Sequence, residues 1–277
     1  MNLSTLSFPS VSRTVSPKRT HAQGSLRLTS KLALVAIAAL GLLPGTERAE
    51  AAPITWQTPQ AITGLPTDVI TQGTLFGAYQ LVNSEYNPVA APIASLVNGV
   101  NFYAVRPNTT YSHLTTSGMT GGYNQFFLNT GAYAAVQDPG YRILLAYGNY
   151  TNNGSLSTPM QMTLSNLTPN TTYLIQIWAN DSRGGGITRT ETFESLGGSV
   201  SDPLTYRQPT DGGLGQYIVG TFTTGAAETT QAIFSTTPLG QVNALQLRAI
   251  PEPSTYVMFG LGVGFLLWAK RRRVSQA

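Results

Sequence analysis

The sequence predicts an all-β fold for the middle of a 277-residue chain: a single jelly-roll-like β-sandwich with one short helix. Charged residues make up only 10% of the chain, and Thr, Asn, Gly and aromatic residues are frequent, a composition typical of extracellular β-proteins. Short apolar runs recur between turn residues, as expected for the strands of a sandwich or barrel. These observations place the predicted sandwich in residues 52–250, which we call the body.

Nine segments of the body are alternating or short and apolar, which predicts nine strands. The predicted strands are Leu75–Val82, Val100–Val105, Tyr123–Leu128, Met160–Leu164, Thr172–Ala179, Ile187–Phe193, Gln216–Thr223, Gln231–Phe234 and Val242–Ala249. The pair Asn98–Gly99 predicts a tight turn before the second of them. Three consecutive glycines, 184–186, predict a loop.

One segment departs from the strand pattern and predicts a helix over residues 139–147. Asp138 can cap the first turn, Pro139 suits the first helical position, and Gly148 is placed to end the helix. The side chains expected to cover one end of the sandwich are Tyr141, Leu144, Leu145 and Tyr147.

The strand Thr172–Ala179 is predicted to be central, because both of its faces are apolar. Pro169 and Asn170 supply the preceding turn. The turn, the tyrosine and the alternation resemble a strand of fibronectin type III domains. With a helix before it and Asp181-Ser182-Arg183 after it, the region resembles more closely the jelly-roll domains of the malectin and galactose-binding-like kind. That resemblance implies a jelly roll and transfers no ligand-contacting residue to this sequence.

The first 51 residues are predicted to be a secretory signal peptide. Basic residues precede the apolar segment Leu32–Leu43, and small residues at Ala49 and Ala51 match the A-x-A rule for cleavage. Two alternatives stand beside it: an organelle transit peptide, which the basic, Ser/Thr-rich start favours, and an uncleaved N-terminal anchor. The signal peptide and the anchor both place the body outside the cytoplasm, delivered by the secretion machinery.

The C-terminal tail, residues 251–277, contains three segments in order. Pro251-Glu252-Pro253 comes first, the apolar run Tyr256–Ala269 can enter a bilayer as a transmembrane helix, and Lys270-Arg271-Arg272-Arg273 is expected to stay in the cytoplasm. This order resembles the PEP-CTERM sorting signal of Gram-negative bacteria. The resemblance implies recognition by an exosortase, a membrane-embedded enzyme that cuts near the Pro-Glu-Pro motif and delivers the protein to the cell surface or matrix.

An ordinary C-terminal membrane anchor is the alternative interpretation of the tail. A helix from Ser254 to Ala269, rising ~1.5 Å per residue, covers about 24 Å and falls short of a ~30 Å hydrocarbon core. Lys270 and the arginines would then have to extend their charged ends to the interface. The short span therefore argues mildly against a permanent anchor.

The charge and cysteine content of the body exclude several classes of function. Residues 53–250 contain no lysine, six arginines and nine carboxylates, although the whole chain has a formal net charge of +4. This mildly acidic balance gives no basis for nucleic-acid binding, which needs clustered Lys and Arg. The chain has no cysteine, which excludes disulfides, thiolate metal sites and cysteine nucleophiles. Neither a metal nor a cofactor is predicted.

Catalytic candidates are few, and we predict no catalytic residue. His113, the body's only histidine, lies among serines and threonines, where a solvated loop residue is expected. Glu191, Glu194 and Asp181 are candidates for a carboxylate pair, but a glycosidase needs its two carboxylates about 5 to 9.5 Å apart across a sugar. Surface solvation is the simpler interpretation. The polar residues Asn180–Ser182 are too sparse to predict a calcium site.

Carbohydrate binding would use exposed aromatic faces beside hydrogen-bonding side chains. The predicted ligand-binding residues surround the loop after the central strand: Trp178, Asn180, Asp181, Arg183 and Arg189. Two hypotheses follow. One is a non-catalytic cell-surface or matrix protein that binds carbohydrate, with an exopolysaccharide as partner. The other is an extracellular glycan-active hydrolase that uses Asp or Glu.

Replacing Glu252 with alanine tests whether the Pro-Glu-Pro motif, rather than hydrophobicity alone, decides the fate of the tail. The apolar run and Arg271–Arg273 still set the orientation in Glu252→Ala, so insertion should persist while processing fails. We expect full-length protein to accumulate in the inner membrane, measured by size and fraction in the native host. Glutamine at positions 271–273 should instead disturb orientation or retention. If Glu252→Ala is shortened and delivered like the wild-type protein, the tail is only a membrane anchor and the motif does not decide its fate.

Overall fold

A computed structural model of the chain describes residues 52–88, 90–91, 93–123, 131–151, 159–181, 188–206 and 213–251. Within these ranges the chain forms a β-sandwich in which an eight-stranded sheet, the large sheet, faces a five-stranded sheet. Sheets of three and two strands accompany them. The predicted signal peptide and all of the tail after Pro251 lie outside the described residues.

The strands of the large sheet run in a spatial order that differs from their order in the chain. In that order they are β1 (Thr55–Trp56), β15 (Gln216–Thr223), β11 (Thr172–Ala179), β18 (Ala244–Ile250), β3 (Thr74–Leu81), β5 (Val100–Val105) and β4 (Ile93–Val97), with β2 (Gln60–Ala61) also pairing with β15. The pair β3–β5 is parallel, and the other described pairs of this sheet are antiparallel.

The remaining described strands form the smaller sheets. The five-stranded sheet runs β13 (Phe193–Ser195), β16 (Gln231–Ser235), β10 (Gln161–Leu164), β7 (Leu114–Ser117) and β6 (Thr110–Tyr111). The three-stranded sheet runs β17 (Gln241–Val242), β9 (Gly148–Tyr150) and β8 (Gly121–Tyr123), and the two-stranded sheet joins β12 (Arg189–Glu191) to β14 (Leu204–Tyr206). Short 3₁₀ helices occupy Pro66–Asp68 and Gly131–Ala135.

The inner core lies between the large sheet and the five-stranded sheet and consists of apolar side chains. Alternate residues of the central strand β11 point into it, as the period of two along a strand requires: Tyr173, Ile175 and Ile177. The facing sheet contributes fully buried side chains: Leu114, Met162, Leu164, Phe193 and Ile233. Burial of this apolar surface is the main favourable term that holds the two sheets together.

An outer core covers the opposite face of the large sheet. Helix α1 (Pro139–Ala146) packs there, and its side chains share one buried cluster with Phe102 and Trp178 of the sheet. The helix begins as predicted, because the Asp138 side chain accepts a hydrogen bond of 2.7 Å from the Tyr141 backbone N–H. The expectation that it covers one end of the sandwich is wrong, since it lies against a face.

The predicted role of Gly148 as the end of the helix is also wrong. Tyr147 already has an extended backbone, with φ −112° and ψ 156°, and Gly148 is the first residue of β9. A glycine is nonetheless required there, because a Cβ atom would lie 2.7 Å from the ring of Tyr123. The sequence therefore marked a close approach between strands rather than a helix cap.

Long alternating runs predicted their strands well. Val100–Val105, Thr172–Ala179 and Gln216–Thr223 have the predicted bounds. The strand predicted over Ile187–Phe193 is divided, because Arg189–Glu191 pairs with β14 whereas Phe193–Ser195 pairs with β16. Of the strand predicted over Tyr123–Leu128, only Tyr123 lies within the described residues, as the last residue of β8.

Short strands between turns escaped prediction, and β4 is the clearest case. The pair Asn98–Gly99 forms the predicted turn with positive φ values of 47° and 75°, the geometry of a two-residue hairpin. The strand before this turn, Ile93–Val97, was not predicted. Its pairing with β5 shifts register between Ile93 and Ser95, so its alternation is irregular.

The last strand, β18, lies in the middle of the large sheet, between β11 and β3. Its register with β11 runs from Trp178↔Ala244 to Thr172↔Ile250. Arg248 ties it to the loop before β3, because its guanidinium donates hydrogen bonds to the carbonyls of residues 71, 72 and 73. Pro251 follows β18 directly and is exposed. The body thus ends where the predicted tail begins.

Trp178→Ala is expected to destabilise the body by about 3–5 kcal/mol. The substitution empties a fully buried site and removes the hydrogen bond of 3.3 Å from Trp178 Nε1 to Tyr141 Oη. Chemical denaturation of the purified protein measures the change. Leu96→Ala is the control, because Leu96 is 56% exposed and its loss should change the free energy of unfolding by less than about 0.5 kcal/mol. Equal effects of the two substitutions would contradict this account.

Candidate functional site

The residues predicted to bind a ligand do not form a surface site. Trp178 is fully buried, with its ring centroid 5.8 Å from that of Phe102 and 6.2 Å from that of Tyr217. The expectation of an exposed aromatic face at Trp178 is therefore wrong, because β11 is a central strand and both of its faces are covered. Arg183 lies outside the described residues.

Asn180 and Asp181 are also inside the protein, with 0% and 1% of their surface exposed. The Asn180 amide donates to the carbonyl of Leu214 at 2.6 Å and accepts from Tyr133 Oη at 2.9 Å. Asp181 Oδ2 lies 3.9 Å from Arg189 Nη1, and the Arg189 side chain is 26% exposed. The polar residues at the end of β11 therefore bind neighbouring parts of the protein, and of the described members of the set Arg189 alone reaches the surface.

A cleft with aromatic walls opens beside β3 and β5, at a place that the sequence did not indicate. Its volume is ≈ 310 Å³. The cleft, which we call the aromatic cleft, is lined by Phe76, Tyr79, Tyr103, Tyr111, Ser112 and His113, together with the backbone of Gly77. These residues come from three strands and one turn, so no local motif announces them.

Strand pairing brings the rings of the aromatic cleft together. Tyr79 and Tyr103 are partners in the parallel ladder between β3 and β5. The ring of Tyr111, from β6, stacks on Tyr103 with centroids 5.7 Å apart and planes inclined by 26°. The rings of Phe76 and His113 have centroids 4.5 Å apart. The cleft therefore has aromatic groups both on the large sheet and on the β6–β7 hairpin of the five-stranded sheet.

The cleft lies near the edges of both sheets. β4 is an edge strand of the large sheet, and β6 is an edge strand of the smaller one. Leu96 and Asn101 are partners across β4 and β5, and both are exposed. Tyr103 lies two residues after Asn101 and so faces the same side of the sheet. Solvent therefore reaches the inner face of the large sheet near this edge.

The aromatic cleft combines ring faces with a few polar groups. Tyr79 is buried at the base of the cleft, and this burial raises the pKa of its hydroxyl, which already interacts with the His113 backbone and the Ser112 side chain. A Cβ at Gly77 would come within 2.4 Å of that hydroxyl, so a larger residue at position 77 would displace the Tyr79 side chain. His113 is half-buried against Phe76 rather than a freely solvated loop residue, and its Nδ1 has no hydrogen-bond partner among the described residues.

The carboxylates considered for catalysis have different surroundings. Glu191 is fully buried, and its carboxylate accepts hydrogen bonds from Ser235 Oγ at 2.7 Å and the Gln241 backbone N–H at 2.8 Å. Burial raises the pKa of Glu191 to about 8. Glu194 is half-buried in a separate shallow depression. Among the described residues no three His, Asp or Glu side chains lie together as a metal site requires.

Comparison with known protein families resolves the tail that leaves β18. Residues 249–273 match the family model of the PEP-CTERM protein-sorting motif. The chain carries a PEP-CTERM motif. It is therefore an exported protein whose C-terminal signal is anchored in the membrane before an exosortase-like machinery processes it. In the described ranges no helix is long and apolar enough to cross a membrane, and the predicted span Tyr256–Ala269 lies outside those ranges.

The PEP-CTERM match covers part of the tail and the last two residues of β18, so it carries no information about the rest of the body. Neither the curated proteins nor the solved structures give a match to this chain. The malectin-like resemblance therefore has no support. The sandwich itself follows from the sheet geometry described above.

Removing the ionisable group of Glu191 is expected to change how the stability of this PEP-CTERM protein depends on pH. The folded protein holds the Glu191 proton up to a pKa of about 8, whereas the unfolded chain releases it near 4.5. Wild-type stability should therefore fall as pH rises between these values, and Glu191→Gln should lose that decline. Thermal unfolding of the exported protein from pH 4 to 9 measures it. Glu194→Gln, the control, should keep the wild-type slope; an unchanged slope in Glu191→Gln would contradict the prediction.

Proposed function

We propose that this PEP-CTERM protein is a non-catalytic component of the cell surface or extracellular matrix that binds neutral carbohydrate in the aromatic cleft. The observation that carries the proposal is the group of half-buried rings from Phe76, Tyr103 and Tyr111 beside the polar side chains of Ser112 and His113. The apolar face of a sugar packs on aromatic rings, and its hydroxyls pair with polar groups at the edges of those rings. A matrix exopolysaccharide is the proposed partner.

The chemistry of the cleft favours a neutral ligand. Its described lining contains no Asp, Glu, Lys or Arg, so no permanently charged side chain there would compensate a charged sugar as it leaves water. The volume of ≈ 310 Å³ is at the lower end of the ~300–1,000 Å³ typical of ligand sites. We therefore favour a short segment of a neutral polysaccharide, which would enter from the open edge of the large sheet.

The alternative, a glycan-active hydrolase, has less support. Such an enzyme needs two carboxylates that reach one sugar. Glu191 is fully buried and bonded to Ser235 and Gln241, and Asp181 is 1% exposed. Neither can approach a substrate without unfolding its surroundings. His113 is the acid–base group that the cleft offers, and no described carboxylate lines the cleft beside it.

We also propose that residues 1–51 are a cleaved signal peptide and that the secretion machinery carries the body out of the cytoplasm. The A-x-A pattern at Ala49 and Ala51 supports a cut before Ala52. After processing of the PEP-CTERM motif, the mature protein keeps the body and loses the tail. The cell surface or matrix is then its final location.

Removing a ring from the aromatic cleft is expected to weaken carbohydrate binding. Tyr103→Ala and Tyr111→Ala should each lower affinity about tenfold, which corresponds to about 1.4 kcal/mol. An array of neutral oligosaccharides probed with the exported protein identifies a ligand, and calorimetry with that ligand measures the change. Tyr150→Ala is the matched control, because Tyr150 is also half-buried but belongs to β9 and does not line the cleft.

Three outcomes would overturn the proposal. The first is that no oligosaccharide binds. The second is that Tyr150→Ala weakens binding as much as the two cleft variants do. The third is that wild-type protein releases new reducing ends from matrix polysaccharide, which would instead support the hydrolase.

A further inference from the structure

We propose that the Glu228 carboxylate binds the new N-terminus of the mature protein. This group is the α-ammonium that Ala52 acquires when the signal peptide is removed. The inference rests on the proposed signal-peptide cleavage and adds to it a site in the body. Hydrolysis of the Ala51–Ala52 peptide bond consumes one water and leaves a carboxylate on Ala51 and an amine on Ala52. An α-amine has an ordinary pKa of about 7.7–8.0, so it is mostly protonated at pH 7.

Ala52 already lies against the Glu228 carboxylate. The backbone nitrogen of Ala52 donates to Glu228 Oε1 at 3.1 Å, and the Ala52 carbonyl accepts from the side-chain amide of Gln231. Two residues later the chain is fixed again, because Ile54 N donates to Ser195 Oγ at 3.3 Å and the Ile54 side chain is 1% exposed in the inner core. The contacts that hold the start of the body thus begin at the first atom that the predicted cleavage exposes.

Glu228 is a buried carboxylate that lacks a cation. It is 5% exposed, and its second oxygen, Oε2, accepts from the Gly225 backbone N–H at 2.9 Å. Within the described ranges no Lys, Arg or His side chain pairs with it, and the body contains no lysine that could do so. A buried charge without a partner is costly, whereas a charge-assisted hydrogen bond to an ammonium is among the strong ones.

The precursor and the mature protein differ at this point in one respect. In the precursor, Ala52 N is an amide that offers a single neutral N–H to Glu228. After the cut the same atom carries a positive charge and additional N–H donors. Removal of the signal peptide therefore supplies the charge that Glu228 lacks, and it completes the seam between β1 and the turn at residues 225–228.

The amine chemistry of the chain makes the test selective. Residues 52–269 contain no lysine, so the α-amine of Ala52 is the one primary amine before Lys270. The full-length precursor is expressed in its host, and the exported protein is isolated and exposed at neutral pH to formaldehyde with cyanoborohydride, which methylates free amines. Peptide mass spectrometry identifies the N-terminal residue and measures the labelling rate of its α-amine.

We expect the exported protein to begin at Ala52 and its α-amine to react about tenfold more slowly than in Glu228→Gln, because the paired ammonium is shielded. Glu85→Gln is the matched control, since Glu85 is an exposed carboxylate elsewhere in the body, and it should label at the wild-type rate. A second variant, Gly-Ser inserted between Ala51 and Ala52, retains Glu228 but moves the new amine two residues away. It should label as fast as Glu228→Gln.

The failure of this inference is distinguishable from the failure of the proposed function. Recovery of residues 1–51 on exported protein would overturn signal-peptide cleavage itself, and with it the inference. A mature N-terminus at Ala52 whose α-amine reacts equally fast in wild type and in the inserted variant would overturn the role of Glu228 alone. The inserted variant decides this question even where Glu228→Gln does not fold.

Discussion

The central position of β18 is the constraint on which the rest of the body depends. This strand pairs with β11 along one side and with β3 along the other, so it joins the two halves of the large sheet. Its alternate residues enter both cores: Leu245 and Leu247 lie in the inner one and Ala244 in the outer one. Gln246 and Arg248 then bind the loop before β3 through its carbonyls. Without β18, β11 and β3 would not be joined, and each core would lose the side chains that β18 contributes to it.

The same sheet explains where a ligand could and could not bind. In its middle, β11 is covered by the five-stranded sheet on one face and by helix α1 with its neighbours on the other. Side chains there serve packing, whatever their chemistry. Toward β5 and β4 the cover ends, and aromatic side chains such as Tyr103 that would otherwise be core are left half-exposed. Function is therefore expected at the margin of the sheet rather than along its strongest strand.

The sequence was informative where the determining residues are contiguous. The tail could be interpreted because motif, apolar run and basic cluster follow one another, and β11 because its alternation is continuous over Thr172–Ala179. The prediction of a central strand already implied that Trp178 is buried, which conflicted with its nomination as a ligand contact. The aromatic cleft was beyond prediction, because it depends on the parallel pairing of β3 with β5, and nothing local specifies which distant strands will be neighbours.

The position of β18 near the C-terminal end of the body also affects the order in which the large sheet can form. A chain that crosses the membrane from its N-terminus delivers this strand last. Until then one edge of β11 and one edge of β3 are unpaired and can pair with other chains. The large sheet therefore cannot close until β18 has crossed, and the tail follows directly behind that strand. Five residues separate Ile250 from Tyr256, so the six steps between them span at most about 22 Å. The predicted membrane segment therefore begins within that distance of the last strand, and the Pro-Glu-Pro motif lies between the two.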